Sequence, residues 1–251
     1  MIDIHAHYDD DAFDSDRDEL VSSLFSKCGI NAIINAGCNT KTALDSVKLA
    51  EKYDKMYAVV GYHPNEAHLM TDKDFDLIKS LLSHPKVVGV GEIGLDYHYG
   101  TEHKEIQKEV FRRQLDLAIK NDMPVVIHER DAVQDCLDIV LNYNVKGVFH
   151  AFSGSTEIAK ILLNRGWYIS FPGTVTFKNA KHPVENAAFV PEDRILTETD
   201  APYLTAHPFR GKRNDSGYMK YTLEKIAEIR GLTFEQIETI TENNARRLFG
   251  I

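Results

Sequence analysis

Short runs of apolar, β-branched residues recur along the chain and alternate with longer stretches whose apolar positions return every three to four residues. The runs predict strands at Met1 to Ile4, Asn31 to Ala36, Met56 to Gly61, Val87 to Gly91, Pro124 to Ile127, Gly147 to Phe149, Tyr168 to Phe171 and Ile195 to Thr197. Between them, Arg17 to Lys27, Thr42 to Tyr53, Asp72 to Leu82, Lys104 to Asn121, Ala132 to Leu141 and Ser155 to Asn164 carry helical spacing, as Val110, Leu115, Leu117 and Ile119 show in the fourth. Eight strands with intervening helices in 251 residues predict an α/β chain folded as a TIM (β/α)8 barrel, one domain over residues 1–251. Additional C-terminal helices follow at Tyr218 to Ile229, Thr233 to Thr241 and Asn243 to Phe249. Gly231 ends the first, and Thr233 with Gln236 forms a capping box for the next. A doubly wound open sheet is the alternative. Its glycine-rich dinucleotide loop is missing after the first strand, where the chain reads His5-Ala6-His7.

Composition narrows the class. With 43% hydrophobic and 27% charged residues the chain is neither disordered nor collagen-like. Apolar runs such as Ile30 to Cys38 fall far short of the roughly 20 residues of a spanning helix. The start, Met1-Ile2-Asp3-Ile4-His5, lacks the pattern of a signal peptide, so a cytoplasmic protein without membrane attachment is expected. Twenty-nine basic against 38 acidic residues give a net charge of −9, which argues against a broad electrostatic grip on nucleic acid but leaves room for a local one. Cys28, Cys38 and Cys136 form no C-x-x-C pair and are expected to be reduced thiols without a chemical role.

In parallel barrels the active site forms at the C-terminal ends of the strands. There the sequence places His5 and His7 after strand one, Glu92 after strand four, His128 after strand five, His150 after strand six and Asp200 after strand eight. His5 and His7, two apart in an extended segment, point the same way. Imidazoles and carboxylates converging on one mouth need partners, and divalent cations supply them. Neutral imidazoles suit Zn, Mn, Fe or Ni better than Mg, and a centrally placed Glu92 would bridge two ions. Each residue alone has a plainer explanation: exposed loop histidines for His5 and His7, a helix cap or ion pair for Glu92, core histidines for His128 and His150, a turn residue for Asp200. Residues of ligand type at the same end of five strands argue for the joint reading.

Substrate contacts are expected from His63, which either lines the mouth or serves a turn, and from Arg130, which either clamps a phosphate or pairs with Asp131 or Asp135. Arg210, Lys212 and Asn214 lie in the basic loop after strand eight, a frequent phosphate site in barrels. The alternative for that loop is a solvated basic turn.

Asp3-Ile4-His5-Ala6-His7, Gly91-Glu92-Ile93-Gly94-Leu95-Asp96-Tyr97, Ile127-His128-Glu129-Arg130, His150-Ala151-Phe152-Ser153-Gly154 and Thr197-Glu198-Thr199-Asp200-Ala201-Pro202 together resemble the TatD family of metal-dependent deoxyribonucleases. Ser170 to Asn179 and the closing Asn243 to Gly250 extend the likeness end to end. It departs at Ala151, where the family more often has Cys, and at Ser216, where it more often has Pro. The resemblance implies an amidohydrolase-type barrel, two divalent ions and hydrolysis of DNA, often from a 3′ end; the expected partner is DNA, single-stranded or at its 3′ ends. It implies that His5, His7, Glu92 and Asp200 hold one ion and Glu92, His128 and His150 the other, with Zn, Mn, Ni, Fe or Mg as the metal. A water activated by the two metals would attack phosphorus, with Asp200 as general base or orienting group and Glu92 fixing the ions. The alternatives are a hydrolase of the same fold acting on another ester, an amide or an aminoacyl-tRNA, and a non-catalytic nucleic-acid-binding protein on a barrel that has lost its ligands.

Overall fold

The computed structural model describes residues 1–251. Eight strands, β1 (Ile2–Ala6), β2 (Ala32–Ala36), β3 (Met56–Val60), β4 (Val87–Asp96), β5 (Val125–Arg130), β6 (Gly147–Phe149), β7 (Tyr168–Phe171) and β8 (Ile195–Thr197), form one parallel sheet in chain order. A parallel bridge between Ala6 and Ala201 joins the end of β1 to the segment leaving β8. Helices α1 (Arg17–Lys27), α2 (Thr40–Lys52), α3 (Asp72–Leu81), α4 (Lys104–Lys120), α5 (Val133–Val140), α6 (Thr156–Leu163) and α7 (Lys181–Phe189) alternate with the strands; α8 (Met219–Arg230) and α9 (Phe234–Phe249) follow. This is the parallel (β/α)8 class that the alternating pattern predicts. Every residue of β1, β2, β7 and β8 is buried, as strands covered on both faces must be. No helix is long and apolar enough to cross a membrane.

Two compact units divide the chain, Met1–Asn35 with Ala151–Ile251, and Ala36–His150. In the first, β1 pairs with β2 and β7 with β8. Helix α9 packs on β1 and β8, and the Asn244 side chain donates to the carbonyls of Glu192 and Ile195. That role explains why α9 runs unbroken through Asn243 and Asn244, where the sequence predicts two helices: a side chain used in tertiary bonding outweighs a modest propensity cost. The capping box of Thr233 and Gln236 and the left-handed cap at Gly231 (φ 65°) stand where the sequence puts them. Helix α7 carries no signal the pattern could show, since few of its residues are buried and Pro183 sits in its first turn.

In the second unit, two glutamines of α4 clasp strand ends. Gln114 takes the amide hydrogen of Tyr62 and donates to its carbonyl, at 2.7 and 3.0 Å. Gln107 does the same at Asp96, at 3.0 and 2.9 Å. Strand β4 therefore continues past its expected end at Gly91 to Asp96, paired with β5 from Ile93↔Ile127 to Asp96↔Arg130. His5, Glu92 and His128 accordingly sit inside strands rather than after them.

Candidate metal centres

The first cluster lies in the unit that contains both chain ends. His5 lies on β1 and His7 just beyond it, and their Nε2 atoms stand 3.2 Å apart, as the two-residue period requires. Asp200 Oδ1 is 3.4 Å from His7 Nε2 and 3.8 Å from His5 Nε2. Asp200 sits in the left-handed region at φ 58°, a conformation Asp tolerates better than most residues, and its amide donates to the His5 carbonyl at 2.9 Å. His7 in turn donates its amide to Ala201 O at 2.7 Å, so backbone bonds lock the His5–His7 segment to the one that carries Asp200.

Beneath these residues lies an acid that the sequence does not single out. Asp3 is fully buried and accepts four hydrogen bonds: from the amides of His5 and Thr199, and from the hydroxyls of Thr199 and Ser216 at 2.6 Å each. Burial raises its carboxyl to about 7 although every one of those bonds pulls the other way. Asp3 thus fastens β1 to the segment that carries Asp200. Its signals in the sequence are its place at the head of the Asp3-to-His7 motif and an acid lodged between Ile2 and Ile4.

The second cluster lies in the other unit and centres on Glu92, which is almost wholly buried. Glu92 Oε1 is 2.7 Å from His128 Nδ1, 2.8 Å from His150 Nε2 and 3.7 Å from His63 Nε2. His128 Nδ1 also lies 3.3 Å from His150 Nε2, and its Nε2 meets Asp96 Oδ2 at 3.0 Å. Burial disfavours a protonated His128, yet its hydrogen bonds to Asp96 and Glu92 prevail and hold its pKa above the ordinary value. Burial also works against the Asp96 carboxylate, and the bonds from His128 and the His98 amide outweigh it, so that its pKa is lowered. Cys38, expected to be a bystander, places Sγ 3.8 Å from Glu92 Oε2.

His63 serves the turn after β3, where it caps the following segment, and its ring stands beside the Glu92 cluster. Burial pushes its pKa down to about 3, so the ring is neutral. Its Nδ1 accepts the Asn65 amide hydrogen at 3.2 Å, which assigns the ring proton to Nε2 and makes that atom a donor toward the cluster. Arg130 is exposed at the end of β5, with its guanidinium 5.5 Å from the Tyr99 ring. It pairs with neither Asp131, which bonds His98, nor Asp135, which bonds Lys104 and Lys108. Arg210 and Lys212 are exposed. Asn214 is buried, and its amide donates to the carbonyls of Thr199 and Tyr203 at 2.9 and 2.6 Å, which makes it a fastener of the loop.

The donor sets suit divalent metal. Ligand atoms of His5, His7 and Asp200 lie within 4.8 Å of one another, and Glu92 Oε1 lies 2.7 Å from His128 Nδ1 and 2.8 Å from His150 Nε2. Imidazole nitrogens 3.2 Å apart cannot both carry a proton along that line, so a lone pair is available beside a carboxylate. Nitrogen with carboxylate oxygen is the chemistry of Zn, Mn, Fe and Ni sites.

Residues 2–250 match the family described as TatD related DNase. An uncharacterized metal-dependent hydrolase of Bacillus subtilis, YabD, is 44% identical over 100% of this chain and 99% of its own length. A second such hydrolase, TatD of Mycobacterium tuberculosis, is 33% identical over 100% and 98%. Among solved structures, the TatD homologue YJJV of Escherichia coli superposes with a TM-score of 0.94 at 28% identity, covering 100% of this chain and 98% of that one. From its first strand to its last helix, the chain belongs to the TatD family of metal-dependent hydrolases.

Proposed function

We propose that the chain is a deoxyribonuclease, a single cytoplasmic barrel domain that hydrolyses phosphodiester bonds from the 3′ ends of single-stranded DNA. The observation that carries this reading is the His5–His7–Asp200 cluster, joined to a loop on which Arg210 and Lys212 stand exposed. Metal-ligand chemistry and cations suited to phosphate thus share one short stretch of chain.

His5, His7 and Asp200 would hold one divalent ion, and Glu92, His128 and His150 a second. When bound, the ions supply charge neutralisation at the phosphoryl oxygens and lower the pKa of a water molecule. Asp200 retains some solvent exposure and takes the proton of the attacking water, or orients it. Glu92, already bonded to two imidazoles, holds those rings in place. Neutral His63 offers its Nε2 proton to a phosphate oxygen, and Arg130, Arg210 and Lys212 bind the non-bridging oxygens bidentately or as point charges. Local cations explain how a chain of net charge −9 accepts a polyanion.

The test is metal analysis of protein purified without chelator, followed by a time course on 3′- and 5′-end-labelled single-stranded DNA, with aminoacyl-tRNA and simple esters assayed in parallel. Metal-dependent shortening from the 3′ end is the expected result. Turnover of an ester with intact DNA would replace this reading with that of a hydrolase acting on another bond.

A further inference from the structure

A cleft of about 500 Å³ opens in the first compact unit, within the size range of small-ligand sites, and Phe177, Tyr203, Arg210, Lys212, Arg213 and Asp10 contribute to its walls. It adjoins the first metal cluster, since the Tyr203 ring lies edge-on to His7 with centroids 6.4 Å apart. Tyr203 is 54% exposed, and its ring is held by its own hydroxyl, which donates to Asp10 at 2.9 Å.

The charges in this cleft divide into committed and available. Arg213 forms two 2.7 Å bonds to Asp16, and Asp10 is occupied by Tyr203 and the Ala12 amide. Arg210 and Lys212 form no ion pair; they rest over the Phe177 and Phe209 rings at 4.5 and 5.4 Å. Their loop is pinned by the Thr205 hydroxyl on Lys212 O and by Asn214. An exposed aromatic face next to two unpaired cations on a fixed loop is complementary to a flat ring bearing an anion.

We propose that this cleft is a subsite for one unpaired nucleotide, the base stacked on Tyr203 and the phosphate held by Arg210 and Lys212. The proposal rests on the nuclease reading for its place beside the bond that is cut. A base can reach Tyr203 only when out of a duplex, so the subsite selects single strands or frayed ends, and stacking makes it tolerant of base identity.

Equilibrium binding to the full-length, metal-loaded chain tests it with three probes: deoxyadenosine 5′-monophosphate, 2-deoxyribose 5-phosphate, which lacks the base, and deoxyadenosine, which lacks the phosphate. The nucleotide should bind about tenfold more tightly than either fragment. Tyr203→Leu should remove its advantage over the sugar phosphate and Tyr203→Phe should keep it. Arg210→Gln with Lys212→Gln should remove its advantage over the nucleoside. A nucleotide bound no better than the sugar phosphate, or binding untouched by Tyr203→Leu, overturns the subsite. The two readings fail separately. Cleavage of DNA with wild-type KM in Tyr203→Leu would reject the subsite and leave the nuclease, whereas the expected binding pattern without cleavage would reject the nuclease and leave the nucleotide site.

Discussion

Gly94 faces His128 across the β4–β5 pair, and its φ of 147° lies where L side chains are strained. A Cβ built there would stand 1.9 Å from the His128 carbonyl oxygen, 2.9 Å from its carbon and 3.1 Å from its nitrogen. All three are backbone atoms, so no side chain can rotate out of the way. Because real Cβ contacts essentially never fall below 3.0 Å, Gly94→Ala must part the strands by at least 3.0 − 1.9 = 1.1 Å. The His128 ring is bonded to Glu92 at 2.7 Å and to Asp96 at 3.0 Å, both on β4, and a displacement of that size breaks such bonds. Overpacking costs about 1–3 kcal/mol and the backbone conformation about 1–2 kcal/mol more, so a loss of roughly 3 kcal/mol is expected. In a chain of this size that lowers Tm by about 6–12 °C. Metal bound through His128 should weaken in parallel. Gly166→Ala is the matched control: its φ is 82°, but nothing lies within 4 Å of the added carbon, so only about 1 kcal/mol is lost. Calorimetry with metal titration reads both effects. A Gly94→Ala protein that melts within about 2 °C of the parent and binds the same complement of metal would refute the reasoning.

Three further outcomes are expected. Asp200→Asn should cut turnover on single-stranded DNA by roughly a hundredfold or more while changing oligonucleotide affinity little, and near-normal turnover in the metal-loaded variant would remove Asp200 from the chemistry. Glu92→Gln should lower metal affinity at least about tenfold and abolish most of the Tm gain that added metal confers on the parent, since it removes the charge shared by His128 and His150. Asp135 accepts bonds from Lys104, Tyr97 and Lys108 at 2.6, 2.8 and 3.0 Å, with Lys104 the main cause of its lowered pKa. A carboxyl whose folded pKa is lowered stabilises at pH above its unfolded value and loses that contribution as pH falls toward the folded one. Asp135→Asn should therefore cost about 1 kcal/mol at pH 7, with the difference from the parent narrowing below about pH 4. Denaturant midpoints that differ equally at pH 7 and pH 2.5 would contradict this.

The features legible in the sequence are those that depend on position along one strand. Apolar runs located all eight strands; the two-residue period aimed His5 and His7 together, and strand ends marked His150 and Asp200. What stayed hidden depends on what another segment places opposite. Asp96 reads as an ordinary acid until Gln107 extends β4 and His128 comes within 3.0 Å of it. Cys38 reads as an isolated thiol until β4 carries Glu92 toward it. Asn214, expected to touch substrate, is a polar side chain whose partners, Thr199 and Tyr203, stand 15 and 11 residues earlier in the chain.

The Asn214 bonds belong to the stretch from Thr199 to Ser216. It begins and ends on Asp3, through the two hydroxyls at 2.6 Å, and Ser216 meets the Tyr8 hydroxyl as well. Ser216 therefore supplies a bond to a buried carboxylate that a proline, the residue the family more often has there, would not provide. Between those anchors stand Asp200, the exposed Tyr203 and the cations Arg210 and Lys212. One loop, fixed at both ends to one buried acid, thus holds a candidate metal ligand and the groups proposed for a nucleotide in constant relation. Preorganisation of that kind lets a site meet its substrate without first ordering itself.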